Sequence, residues 1–182
     1  MLVGFVLLFV ALDRLAKWLV VRNLAVNQAW APVPAMARVF TITHVQNTGI
    51  AFGQFHGLGW IFMLVNVLVL FGVVFYYPRI PVGQWPLRLA GALILAGDLG
   101  NIIDRIRTIA RAVDQVGTIW AALSMAYVTD MFDFKIWPVF NVADMCVVAG
   151  VLLAAWMMWR ADRAEARQEK SRVQALPTDQ VG

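Results

Sequence analysis

Apolar residues crowd this chain into four blocks, separated by stretches in which polar residues, prolines and β-branched residues return. A helix needs about 20 residues to cross the hydrocarbon core of a bilayer. The segments 1–21, 57–77, 85–103 and 139–159 each offer that length, and the second carries no charge. Backbone groups in lipid must be satisfied within the segment, so each block predicts a helix. Between the first two blocks, Pro32 and Pro34 precede Val39-Phe-Thr-Ile-Thr-His-Val45, a β-branched run that predicts a short strand. The expected fold is therefore an all-α integral membrane protein, with four transmembrane helices and a small extramembrane β element in the first outer loop. One membrane domain would span residues 1–160, with an outer loop at 22–56 and an amphipathic stretch at 105–128. A charged tail, frayed helix and then disorder, would fill 161–182. In the amphipathic stretch, Ile106, Ile109, Val113, Val116, Trp120 and Leu123 recur at spacings of three and four, with Arg107, Arg111 and Asp114 elsewhere. This fits either a helix lying on the outer membrane surface or a packed extramembrane helix.

Charge near the block ends sets an orientation. The tail holds Arg160, Arg163, Arg167, Lys170 and Arg172, and the short second linker holds Arg79. Four crossings put these on one side, which the positive-inside rule makes cytoplasmic. Arg105, Arg107, Arg111 and Lys135, in the opposite loop, reduce the asymmetry. Both termini would then be cytoplasmic and both long linkers would face outward.

Composition agrees with the membrane reading. The chain is 61% hydrophobic and 14% charged, with mean hydropathy +0.71, whereas soluble domains carry about a quarter charged residues. The net charge of +4 does not imply a nucleic-acid partner, because the basic residues form no stripe among aromatics. The single cysteine, Cys146, lies in an apolar run and reads as a buried, inert thiol. Ala143-Asp144-Met145 before it does not fit a lipobox. The first block is a poor cleavable signal, since Asp13, Arg14 and Lys17 interrupt it, and it is read as a retained helix.

Chemistry is narrowed by elimination. The two serines, Ser124 and Ser171, stand in no G-x-S-x-G elbow, and His44 and His56 form no H-E-x-x-H zinc motif. What remains is carboxylate chemistry, and carboxylates in or at a membrane are costly enough to suggest function. The candidates are Asp13, Asp98, Asp104, Asp130, Asp133 and Asp144. Asn101-Ile-Ile-Asp104 ends the third block and Asn141-Val-Ala-Asp144 begins the fourth, each pair on one helical face. Antiparallel helices bring both pairs to the outer side, beside Asp130 and Asp133. Two close carboxylates share one proton and can activate water as an aspartic-protease pair does. Composition and spacing leave three readings open: structural ion pairs such as Asp13 with Lys17, a peptidase, or transport.

A set of ordered motifs narrows these. Asp13-Arg-Leu-Ala-Lys17 resembles the D-x-x-x-K of lipoprotein signal peptidases (signal peptidase II). Asn47-Thr-Gly49-Ile-Ala-Phe52 resembles their N-x-G-x-A-F, and Gly100-Asn101-Ile-Ile-Asp104-Arg105 their G-N-x-x-D-R. Val128-Thr-Asp130-Met-Phe-Asp133-Phe134 and Phe140-Asn141-Val-Ala-Asp144 resemble V-x-D-x-x-D-F and F-N-x-A-D. The resemblance covers roughly residues 8–155. It implies a bacterial inner-membrane enzyme, with its site near the outer leaflet, that cuts diacylglyceryl-modified prolipoproteins before the lipidated cysteine. By motif position, Asp130 and Asp144 are its catalytic pair. Asp13, Lys17, Asn47, Gly49, Phe52, Asn101, Asp104, Arg105 and Asn141 would line or support the site, with Asp104 paired to Arg105 or oriented by Asn101 and Asp133 structural. The implied partners are the precursor and membrane lipid, and no metal or organic cofactor is needed.

Three departures stand out from the family pattern. The usually short link after G-N-x-x-D-R is expanded here into the 105–128 insertion. Asp98 stands where a small residue is usual, and would either pair with Lys17 or bias the site's electrostatics. Ile50 replaces a usual alanine. Two rivals stay in view: a catalytically silent member acting as a membrane interaction protein, and a proton-coupled transporter. A peptidase needs both acids within reach of one water, and a transporter needs a continuous polar path.

Overall fold

The computed structural model describes residues 2–48 and 59–174. In chain order the elements are α1 (Leu2–Asn23), β1 (Ala29–Trp30), β2 (Thr41–Asn47), α2 (Gly59–Tyr76), α3 (Trp85–Val116), α4 (Ile119–Ser124), β3 (Val128–Asp133) and α5 (Val142–Gln174). Among the described residues, three helical stretches are long and apolar enough to cross a bilayer: Trp60–Arg79, Trp85–Val116 and Val142–Arg172. The 22-residue α1 carries Asp13, Arg14, Lys17 and Arg22 and is not among them.

Helices α3 and α5 pack antiparallel at close range because small residues face each other. A Cβ on Gly97 would lie 2.2 Å from the Ala143 carbonyl oxygen, and one on Gly150 would lie 2.7 Å from that of Ala90. Close backbone approach through small residues is a general route to helix association in lipid, where the hydrophobic effect supplies little. Gly97→Ala must therefore push α5 off α3. The expected cost is about 1–3 kcal/mol, read as a lowered thermal midpoint in detergent. An unchanged midpoint would mean that this contact is slack.

Three antiparallel strands, in the order β1-β2-β3, form a small sheet at one end of the helices. The expected strand at 39–45 appears two residues later, at Thr41–Asn47. β1 and β3 were not anticipated as strands. The β2–β3 register shifts between Ile42 and Val45, so that Thr41 faces Asp133 but Val45 faces Asp130. A one-residue bulge changes which side chains share a face. Here it puts Val45 and Asn47 on the same side of the sheet as Asp130. Phe40, Phe132, Phe134 and Phe140 stack beside the sheet, with ring centroids 4.7–6.5 Å apart.

The third helix was expected to stop at Ile103, with a separate amphipathic helix after it. Instead α3 runs unbroken to Val116 and ends at Gly117, whose φ of 72° closes the helix with an N–H bond to the Val113 carbonyl. That left-handed conformation favours glycine. α4 is capped by Thr118, whose hydroxyl accepts from the Ala121 N–H at 3.4 Å, and folds back so that Ala122 and Ala126 bury against Ile109 and Ala112. The stretch at 105–128 is thus a packed helical hairpin, although Ile106 and Trp120 remain exposed. α5 continues through the charged tail as far as Gln174.

Candidate functional site

The N-terminus of α5 is built by reciprocal capping. The Asp144 N–H donates to Asn141 Oδ1 at 2.9 Å, and the Asn141 N–H donates to Asp144 Oδ2 at 3.1 Å. The two residues satisfy backbone donors that the first helical turn would otherwise leave bare. The same exchange holds the Asp144 carboxylate in one orientation. Its other oxygen accepts from Asn101 Nδ2 at 2.9 Å, across the α3–α5 contact.

Asp130, on β3, is fully buried. Asn47 Nδ2 donates to one of its oxygens at 2.7 Å and Asn141 Nδ2 to the other at 2.6 Å. Asn141 Nδ2 also reaches Asn101 Oδ1 at 3.2 Å. Asn141 and Asn101 therefore bind the two carboxylates into one hydrogen-bonded cluster. Burial and the neighbouring Asp144 charge push the Asp130 carboxyl up to about 7, against the opposing pull of the Asn47 and Asn141 hydrogen bonds. A buried acid beside a like charge is poised to hold a proton near neutral pH. Asp130, Asp144, Asn47, Asn101 and Arg105 all line an open cavity of about 720 Å³, with Ile136 and Trp137 on its rim.

Beneath this cluster lies a second, purely ionic one. Asp13 Oδ2 meets Arg14 at 2.7 Å and Lys17 at 3.0 Å. Asp104 meets Arg14 at 2.5 Å and Lys17 at 2.7 Å. The two acids and two cations alternate, so the cluster is neutral. It is also tied outward: Asp13 Oδ1 accepts from the Ala143 N–H at 3.0 Å, and Asp104 Oδ2 from the Thr129 N–H at 3.3 Å. Lys17 Nζ donates to Asn101 Oδ1 at 3.3 Å. Gly100 gives Asp13 its room, since a Cβ there would sit 2.9 Å from Asp13 Oδ2. One neutral knot on α1 and α3 thereby places both the start of α5 and the strand that carries Asp130.

Several expectations need correction. Asp104 pairs with Arg14 and Lys17, not with Arg105, because α1 presents two cations while the Arg105 side chain points away toward α2. Asp98 does not pair with Lys17, whose ammonium is already held by Asp13 and Asp104. It accepts instead from Asn66 Nδ2 at 2.6 Å, and Arg105 Nη1 donates to Asn66 Oδ1 at 2.8 Å. Asn66 links a buried acid to an arginine of the large cavity, and sequence reading passed over it as one polar residue in an uncharged apolar block. Arg14 was likewise missed, though its position beside Asp13 was a signal. Asp133 lies apart from the cluster. Burial works upward on its carboxyl, but hydrogen bonds from Lys135 hold it below the usual carboxylate range, and it also accepts from the Thr41 hydroxyl at 3.4 Å. Gly49 and Phe52 lie outside the described residues.

Comparison with known proteins bears on this arrangement. The family model described as Signal peptidase (SPase) II matches residues 5–160. A lipoprotein signal peptidase of Halothermothrix orenii is 35% identical, over 87% of this chain and 94% of the relative. That of Moorella thermoacetica is 36% identical over 84% and 88%, and that of Bacillus subtilis 37% identical over 81% and 85%. Two solved bacterial membrane enzymes share the fold at 23% identity. Their TM-scores are 0.68 and 0.67, covering 87% of both chains in the first case and 86% and 91% in the second. Motif order, near full-length similarity and shared fold agree, and the chain belongs to the signal peptidase II family.

Proposed function

We propose that this protein is an aspartic endopeptidase of a bacterial inner membrane. It removes the signal peptide from diacylglyceryl-modified prolipoproteins, cutting before the lipidated cysteine. The observation that carries this reading is the pair Asp130 and Asp144, joined through Asn141 and Asn101 on the wall of one cavity. In the reaction the pair holds one proton, on Asp130. Ionised Asp144 takes a proton from a water as its oxygen attacks the scissile carbonyl carbon. Asp130 gives its proton to the carbonyl oxygen, forming a neutral tetrahedral diol. Collapse of the diol breaks the C–N bond, with one proton passing to the leaving amine and the other returning to the pair. The two carboxylates and one water suffice.

In this reading α1 is a fourth crossing. Its charges are tolerated because Asp13, Arg14 and Lys17 neutralise one another and Asp104 against α3 rather than facing lipid. Four crossings put both termini in the cytoplasm and the sheet, α4 and the cavity at the outer leaflet. The mixed lining of the cavity, with Asn and Asp residues as well as Ile136 and Trp137, suits a peptide bearing apolar chains. Asp13, Lys17, Asn101, Asp104 and Asn141 hold the pair in place, while Asn47 and Arg105 face the substrate.

The test is cleavage of a diacylglyceryl-modified precursor by the purified protein, followed against pH. Asp130 must be protonated to act as the acid, and its carboxyl lies near 7. The kcat/KM profile is therefore expected to fall about tenfold per pH unit above that value. A profile that is level from pH 6 to 9 would assign the proton to another group. Equal cleavage of an unmodified precursor would remove the lipid from the specificity.

A further inference from the structure

On the far side of the sheet from the large cavity, α1, α3 and the strands enclose a second one of about 230 Å³. Four cations line it: Arg14, Lys17, Arg107 and Arg111. The first two are matched by Asp13 and Asp104, which leaves Arg107 and Arg111 to set the local charge. These two are exposed, stand one turn apart on α3, and have no hydrogen bond or ion pair among the described residues. Like charges at that spacing repel each other. Asp114, one turn farther along, pairs with neither. Arg14 Nε is also buried here without a hydrogen-bond partner.

The rest of the lining narrows what such a surplus would hold. Trp18 and Tyr127 flank the arginines, and Arg22 stacks over the Trp18 ring at 5.0 Å. Aromatic rings with a polar edge settle at the headgroup level of a bilayer. Along α1, Val3, Leu7, Arg14, Trp18 and Val21 fall on one stripe, and its lower part, Val3 and Leu7, is exposed and wholly apolar. A cationic cleft at the end of an exposed apolar stripe matches an amphiphile with an anionic head. Arginine's planar fork suits the oxygens of a phosphate.

The geometry points to a binding site for the phosphate headgroup of an anionic phospholipid, held by Arg107 and Arg111 with its acyl chains along α1. The site is separate from Asp130 and Asp144, and does not depend on the peptidase reading. It gives the extension of α3 beyond Arg105 a second role, fastening the outer part of the molecule to one kind of lipid.

The test uses the full-length protein in mild detergent, titrated with phosphatidylglycerol or with phosphatidylcholine of the same acyl chains, and bound lipid counted by native mass spectrometry. Phosphatidylglycerol is expected to be retained about tenfold or more over phosphatidylcholine. The double variant Arg107→Gln/Arg111→Gln is expected to lose that preference. A control, Lys170→Gln/Arg172→Gln, removes two exposed cations of α5 and is expected to keep it. Equal retention of both lipids by the wild type overturns the site, and so does a preference that survives the first double variant. A preference lost equally in the control means a diffuse charge effect and also overturns it. Inorganic phosphate or glycerol 3-phosphate that stabilises the protein as fully as phosphatidylglycerol would make the ligand a soluble anion instead of a lipid.

Discussion

Asp130→Asn and Asp144→Asn each lower turnover of a lipid-modified precursor by about a thousandfold or more, while the protein still inserts and folds. Asparagine keeps the shape of the carboxylate and one of its two acceptor oxygens. At position 144 its one carbonyl oxygen can still accept from the Asn141 N–H, and the backbone N–H of residue 144 still donates to Asn141 Oδ1, so the helix cap survives while the bond from Asn101 and the proton acceptor are lost. At position 130 the neutral amide cannot transfer a proton to the carbonyl oxygen. The comparison that gives the experiment its force is Asp133→Asn. Asp133 belongs to the same motif as Asp130, yet it pairs with Lys135 at the edge of the sheet, where an ion pair is worth little. That variant is expected to stay within about tenfold of the wild type. Substantial cleavage by either of the first two variants, or collapse in the third, would mean that the reacting pair has been misidentified.

The second large effect falls on stability. Lys17→Met leaves Asp13 and Asp104 sharing one arginine in a buried place. Breaking one side of a buried ion cluster costs about 3–5 kcal/mol, because the charge left behind is neither solvated nor paired. The thermal midpoint in detergent should fall by roughly 10 °C. Adding Asp104→Asn to Lys17→Met restores neutrality and should recover part of the loss, a coupling that a double-mutant cycle reads directly. A midpoint that moves by less than about 2 °C in the single variant would show that water or a shifted side chain replaces the lysine. Activity should fall with stability in the single variant. Lys17 reaches Asn101, and Asn101 holds Asp144.

The spacing of Asn141-Val-Ala-Asp144 has a local physical meaning apart from the proposed chemistry. An N-cap followed three residues later by an acid is a helix start, and α5 begins there. One residue pattern therefore performs two tasks, capping the helix and aiming its carboxylate. The Asn101–Asp104 pair does something different. Both are inside α3, and they diverge: Asn101 turns to Asp144, and Asp104 to the cations of α1.

Much of this architecture was legible in the sequence. Long apolar blocks can only be helices in lipid, so three of the long helices follow from composition and length alone. The elimination of serine and zinc motifs left carboxylates, and the motif order singled out Asp130 and Asp144. The convergence of the Asn101–Asp104 and Asn141–Asp144 pairs at one end of antiparallel helices also follows from length and connectivity. What tertiary structure decided was partnership. Whether Asp104 would meet Arg105 or Arg14 depends on which way α1 faces, and adjacency in the chain carries no information about that. Asn66 became visible only when α2 packed beside Asp98 and Arg105. The strand carrying Asp130 is too short to announce itself, and its alignment with Asn47 rests on a bulge in its partner. The 105–128 stretch has a helical period whether it lies on a membrane or packs on itself, and only the burial of Ile109 and Ala112 against Ala122 and Ala126 separates the two. Periodicity reports which face of an element is apolar; it does not name what that face will touch.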